Sequence, residues 1–197
     1  MGMNYKKYWD IGLSYQVYRS MIDGLLQQEK TTGTNHAADM IEYTRMNVQR
    51  MKRIDKTYLP SEKALRVLSE YKPKENWLVI TEAWCGDAAQ IIPALHTLSG
   101  LSDRIEMRMV LRDENLDLMD AHLTNGVSRS IPILIRLSAD DFAIIGKWGP
   151  RPSSAQKIFI ESKENALSYE ATKEAVHLWY ARNKSKEIEE EILRFLQ

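Results

Sequence analysis

Two periods divide the chain. Over 14–29 the apolar residues Tyr15, Tyr18, Ile22, Leu25 and Leu26 recur at three- and four-residue intervals, the signature of one buried helical face. Over 36–53, Ala37, Met40, Ile41, Thr44, Val48 and Met51 repeat the pattern, so these methionines are read as core. "KTTGTN" (30–35) separates the two helices, with Gly33 as the breaker. Pro60-Ser61-Glu62 predicts a third, short helix with Ser61 as its N-cap.

The middle of the chain is different. "WLVITEA" (77–83) is a short β-branched run that predicts a buried strand. A helix follows from Cys85 to about Leu98, then a strand at 105–111 and a helix over 115–124 closed by Asn125-Gly126. "IPILIRL" (131–137) and "FAIIGKW" (142–148) predict two strands joined by a turn at "SADD". Ser153 and Gln156 have capping-box spacing, which predicts a helix from about 154. Helix then continues with breaks near Ser168 and Asn183–Lys184. The acidic run at 187–191 is read as the solvated side of the last segment. Two regions are expected, packed as one unit: a helical N-terminal extension over 1–72, and an α/β domain with extended C-terminal helices over 73–197.

Composition narrows the function classes. The 27 Lys and Arg balance 27 Asp and Glu, so no global charge attracts nucleic acid or an anionic membrane. No apolar stretch is long enough to span a bilayer, and the N-terminus lacks the apolar core of a signal peptide. A single cysteine excludes an intramolecular disulfide and any zinc site of several thiolates. His36, His96, His122 and His177 have no paired metal-ligand spacing. The expectation is a cytoplasmic protein with a reduced thiol, no metal and no cofactor.

The chemistry centres on "WCGDAAQ" (84–90), which holds that cysteine where the first strand gives way to a helix. Free N–H groups and the dipole of a helix N-terminus favour a thiolate there. Asp87 opposes this if its carboxylate faces the sulfur, unless it caps its own helix with Gln90 at capping-box spacing. The sequence leaves both open. Arg151, in "WGPRP" (148–152), is read first as part of a rigid strand-to-helix turn with Trp148 packed, and second as a group reaching the thiol side or an anion.

Trp84-Cys85-Gly86, Pro93 eight residues on, and Ile131-Pro132 opening a later strand together resemble the thioredoxin family. The resemblance covers 77–148 and implies a thioredoxin-like α/β fold with a central mixed sheet of about four strands flanked by helices. It makes Cys85 the catalytic nucleophile, with Trp84, Gly86, Asp87 and Ala88 as its neighbours. Pro132 is implied to be the cis-proline beside the thiol, and Ile131 the residue whose backbone pairs with substrate. The departures are Asp87 for the family's proline, Ala88 for the resolving cysteine, and Val79 where the family has a buried acid.

Without a second cysteine, Cys85 can form a mixed disulfide but not release it. The first reading is therefore thiol–disulfide exchange with an external resolving thiol, on a protein or of low molecular weight. The alternative is a non-catalytic adaptor or chaperone-like module that keeps the groove beside Pro132. A third is a thiol sensor oxidised at Cys85.

Overall fold

The computed structural model describes residues 2–197. Four helices come first: α1 (Tyr5–Ile11), α2 (Tyr15–Gln27), α3 (Ala38–Thr57) and α4 (Glu62–Ser69). Then come β1 (Glu75–Thr81), α5 (Gly86–Ser99), β2 (Ile105–Leu111), α6 (Leu116–Asp120), β3 (Ile133–Ser138) and β4 (Ile144–Trp148). Three helices close the described chain: α7 (Ser153–Glu164), α8 (Tyr169–Asn183) and α9 (Lys186–Phe195).

The strands form one sheet in the order β2-β1-β3-β4, with β1 parallel to β2 and the other two pairs antiparallel. This is the mixed four-stranded sheet flanked by helices that the sequence implied. β1 is buried along its whole length, which explains its near-continuous apolar run. β2 is an edge strand, but Leu13 pairs with Met109 through two backbone hydrogen bonds of 2.8 Å, so the loop between α1 and α2 covers part of that edge. α3 lies against α5, and α9 touches both α4 and α5. Tyr8, Trp9, Tyr18 and Ile22 from the first two helices share one hydrophobic cluster with Trp77, Ile80, Ile91 and Leu95. Among the described residues, no helix is long and apolar enough to cross a membrane.

Buried charge runs through this core. Arg136 on β3 meets Glu75 on β1 in a two-pronged contact of 2.6 and 2.7 Å, and both side chains are almost wholly buried. Tyr71, Trp77 Nε1 and the Phe195 carbonyl take the remaining hydrogen-bonding positions. Burial alone would raise the pKa of Glu75, but hydrogen bonds from Arg136 and Tyr71 hold it below the usual carboxylate range.

Three details differ from the sequence reading. Residues 5–11 form a helix, α1, which the mixed polar and aromatic composition of that stretch did not signal. The helix predicted over 115–124 is only α6, since the chain turns at His122 and Thr124 bridges back to Ser128. Ser153 does not cap α7. Its N–H is taken by Glu191 and that of Ser154 by Glu187, while Glu189 accepts from Ser61 N–H at the start of α4. The run at 187–191 is thus not merely a solvated face: three of its carboxylates serve the N-termini of two other helices, where unpaired N–H groups favour negative charge. Ser61 does cap α4, as its spacing predicts, accepting from Ala64 N–H.

Candidate functional site

β1 ends at Thr81, and Glu82–Trp84 carry the chain to Cys85, the N-cap of α5. The Cys85 N–H donates to the Glu82 carbonyl at 3.2 Å and closes this turn. The cap contact comes from sulfur: Ala88 N–H approaches Sγ at 3.4 Å. The thiol in turn donates to the Ile131 carbonyl at 3.3 Å. This hydrogen bond joins two segments 46 residues apart, and the Ile131–Pro132 bond beside it is cis. The sequence-predicted residues Trp84, Cys85, Gly86, Asp87, Ala88, Ile131 and Pro132 thus assemble around one point.

Cys85 is only 8% exposed, and its thiol is pushed up to about 12. Burial is the main cause and the Asp87 carboxylate the second; the Ala88 N–H and Arg151 pull the other way without prevailing. The two effects left open by the sequence are thereby ordered. The helix N-terminus does stabilise a thiolate, but desolvation and Asp87 outweigh it.

Asp87 does not cap α5. Its Oδ2 lies 2.6 Å from the Arg151 guanidinium, and its Oδ1 accepts from Tyr180 Oη at 2.9 Å. Gln90, its supposed capping partner, accepts from Arg53. Burial raises the pKa of Asp87 despite the opposing pull of Arg151 and Tyr180. Arg151 therefore reaches the thiol side of the fold, the second of the two readings of its motif. Its guanidinium also stacks 4.1 Å above the Phe159 ring. The first reading holds in part, since Trp148 is half-buried and donates to Glu191. Gly149 makes this turn possible, because a Cβ there would fall 2.4 Å from the Pro132 carbonyl oxygen at a φ of +122°.

Cys85 forms part of an open cleft bounded by Trp84, Arg112, Ser130, Ile131 and Arg151. Arg112 stacks 4.7 Å over the Trp84 ring. A second, more enclosed recess shares Trp84, Gly86, Asp87 and Arg151 with this cleft and is otherwise lined mainly by α3 and α8.

One residue escaped the sequence reading. Glu82 is fully buried, its Oε1 accepts from Asp113 N–H, and its Oε2 has no partner among the described residues. Burial pushes its carboxyl up to about 7. Val79 is indeed an apolar residue buried in β1, but an acid stands three positions further on, beside the thiol turn. The signal was present as the lone charge inside the apolar run 77–83. Among the described residues, no group of three or more His, Cys, Asp or Glu is placed to hold a metal ion.

A thioredoxin family model matches residues 33–175, well over half of the chain. The chain belongs to the thioredoxin family. Two solved structures share the fold of this thioredoxin-family protein at 16% sequence identity. One is an HIV epitope scaffold, with a TM-score of 0.64 and coverage of 98% of both chains. The other is a protein of unknown function from Pseudomonas aeruginosa, with a TM-score of 0.56 and coverage of 91% of this chain and 96% of that one. No curated protein sequence matches the chain significantly. In this thioredoxin-family chain the Cys85 thiol meets the carbonyl of Ile131 beside the cis bond to Pro132, position 88 is alanine, and Asp87 is paired with Arg151.

Proposed function

We propose that this thioredoxin-family chain is a binding module that uses the cleft beside Pro132 to hold a partner, with Cys85 kept as a protonated thiol. The observation that carries this reading is the state of the sulfur: buried, hydrogen-bonded to Ile131 and pushed up to about 12 beside Asp87. Held so far above its ordinary value, the thiol stays protonated at pH 7. Since the thiolate is the attacking species, exchange is slow, and Ala88 offers no internal release. A single protonated thiol suits a reducing compartment such as the cytoplasm.

The test is the pH dependence of Cys85 alkylation by iodoacetamide on the full chain. Labelling should stay far below that of a free cysteine at pH 7–8 and rise only above pH 9. A midpoint below 8 would overturn the reading.

One observation favours monothiol exchange as the second reading: Sγ borders an open cleft and already accepts the Ala88 N–H, a contact that stabilises a thiolate. In that reaction the Cys85 sulfur attacks a substrate disulfide. A new S–S bond forms, the leaving thiolate takes up the proton lost by Cys85, and an external thiol later attacks the mixed disulfide to free Cys85. Turnover of a glutathione mixed disulfide that disappears in Cys85→Ser would establish this reading and displace the first.

A further inference from the structure

The recess behind the thiol turn carries more positive charge than the fold uses. Asn47 on α3 donates to the Ala83 carbonyl at 2.9 Å and accepts from Arg50 Nη1 at 2.8 Å, which fixes the Arg50 guanidinium against the turn. Among the described residues, Arg50 makes no ion pair. Lys173 on α8 enters from the opposite wall, where it pairs with Glu170 and donates to Tyr43 Oη at 2.9 Å. His177, one turn further along α8, lines the same space with its Nδ1 buried and unpartnered. Arg151 Nε is unpartnered as well.

The carboxylate in the lining, Asp87, is already satisfied by Arg151 and Tyr180. The space exists because residue 86 is glycine. A Cβ there would lie 2.7 Å from the His177 ring and 3.3 Å from Arg50 Nη1. Tyr43, Trp84 and Phe159 supply aromatic surface in the same lining.

We propose that this recess, between Arg50, Lys173 and His177, binds a small oxyanion, a carboxylate or phosphate group, as the anchoring end of a ligand. Its volume, about 100 Å³, suits such a headgroup rather than a whole drug-sized ligand. A half-buried guanidinium without an ion-pair partner, here Arg50, with the Lys173 ammonium across from it, is chemistry that recognises carboxylates and phosphates. His177 is neutral at pH 7, its pKa lowered to about 4 by burial and by Arg50, Lys173 and Arg151, so it offers the anion a neutral N–H. The recess shares Trp84, Gly86, Asp87 and Arg151 with the Cys85 cleft, so the rest of such a ligand has a path into that cleft.

The experiment titrates sodium phosphate and sodium acetate separately into the ¹⁵N-labelled full chain at constant ionic strength, with sodium chloride as control. The Gly86 amide and His177 ring signals should shift and saturate with phosphate, acetate or both, and the arm that saturates at lower concentration names the headgroup. Arg50→Gln should weaken that binding at least tenfold. Gly86→Ala, which fills the space, should abolish it. If Arg50→Gln does not fold, Lys173→Gln takes its place with the same expectation. Shifts that stay linear and match chloride, or a folded Arg50→Gln or Lys173→Gln variant that titrates like the parent, would overturn the proposal. The outcome is independent of Cys85 alkylation, so this site and the binding-module reading fail separately.

Discussion

Arg151 lies 2.6 Å from Asp87, two residues after Cys85 in the first turn of α5. The pair holds a negative charge beside the thiol and ties the β4–α7 turn to the start of α5. Asp87→Asn removes that charge and leaves Arg151 to act on the sulfur alone, and both changes make the thiol more acidic. The midpoint of Cys85 alkylation should fall by about one pH unit or more. An unchanged midpoint would show that burial alone sets the thiol.

Glu82 should impose a pH dependence on stability. Its pKa is raised from 4.5 to about 7 on folding, so the folded state holds the proton more tightly than the unfolded one. Stability contributed by this group is therefore full below about pH 4.5, declines as pH rises through 7, and is level above that. Glu82→Gln removes the penalty. Chemical denaturation should show the variant more stable by up to about 3 kcal/mol at pH 8, with little difference at pH 4. An equal gain at both pH values would assign the effect to packing.

The Glu75–Arg136 pair is expected to behave as buried pairs do. Glu75→Gln leaves Arg136 charged and uncompensated within the sheet, and should lower stability by about 3–5 kcal/mol. Replacing both, as in Glu75→Leu with Arg136→Met, should be milder than the single change. A double-mutant cycle with no coupling would contradict the geometry.

Gly149→Ala places a methyl against the Pro132 carbonyl at a backbone angle that side chains rarely adopt. A loss of about 1–3 kcal/mol is expected. The amide signals of Ile131 and Ile133 should move while those of β1 stay in place. Neutral behaviour would mean that the turn relaxes freely.

The apolar periods foretold most of the architecture because burial is what they record. β1 through β4 all fall within two residues of the predicted runs, and α2 matches Tyr15–Gln27 within one or two residues at each end. α1 was hidden because Tyr8 and Trp9 are its only buried positions, too few to establish a period. At the site, the family resemblance singled out Trp84-Cys85-Gly86 and Ile131-Pro132, and the structure brings these two segments together at the Cys85 thiol. Arg151 and Glu82 were harder. Whether Arg151 meets Asp87 depends on how α7 and α5 are arranged, and the unusual state of Glu82 depends on which way the chain turns after β1. No local spacing encodes either. The acidic run misled for the same reason, since its partners at Ser61 and Ser153 lie 128 and 38 residues away.

That last separation has a consequence for the order in which the molecule can assemble. A growing chain that has emerged only as far as β4 already holds all four strands and α4, yet the N–H of Ser61 has no Glu189 to meet. Nor can Glu187 and Glu191 engage the start of α7 until the chain has passed them. Local contacts form early, and closures across such sequence distances form late. During synthesis the thioredoxin sheet would thus precede its own fastening, and a nascent chain stalled before α9 should be more open to proteases at α4 and α7 than the finished one.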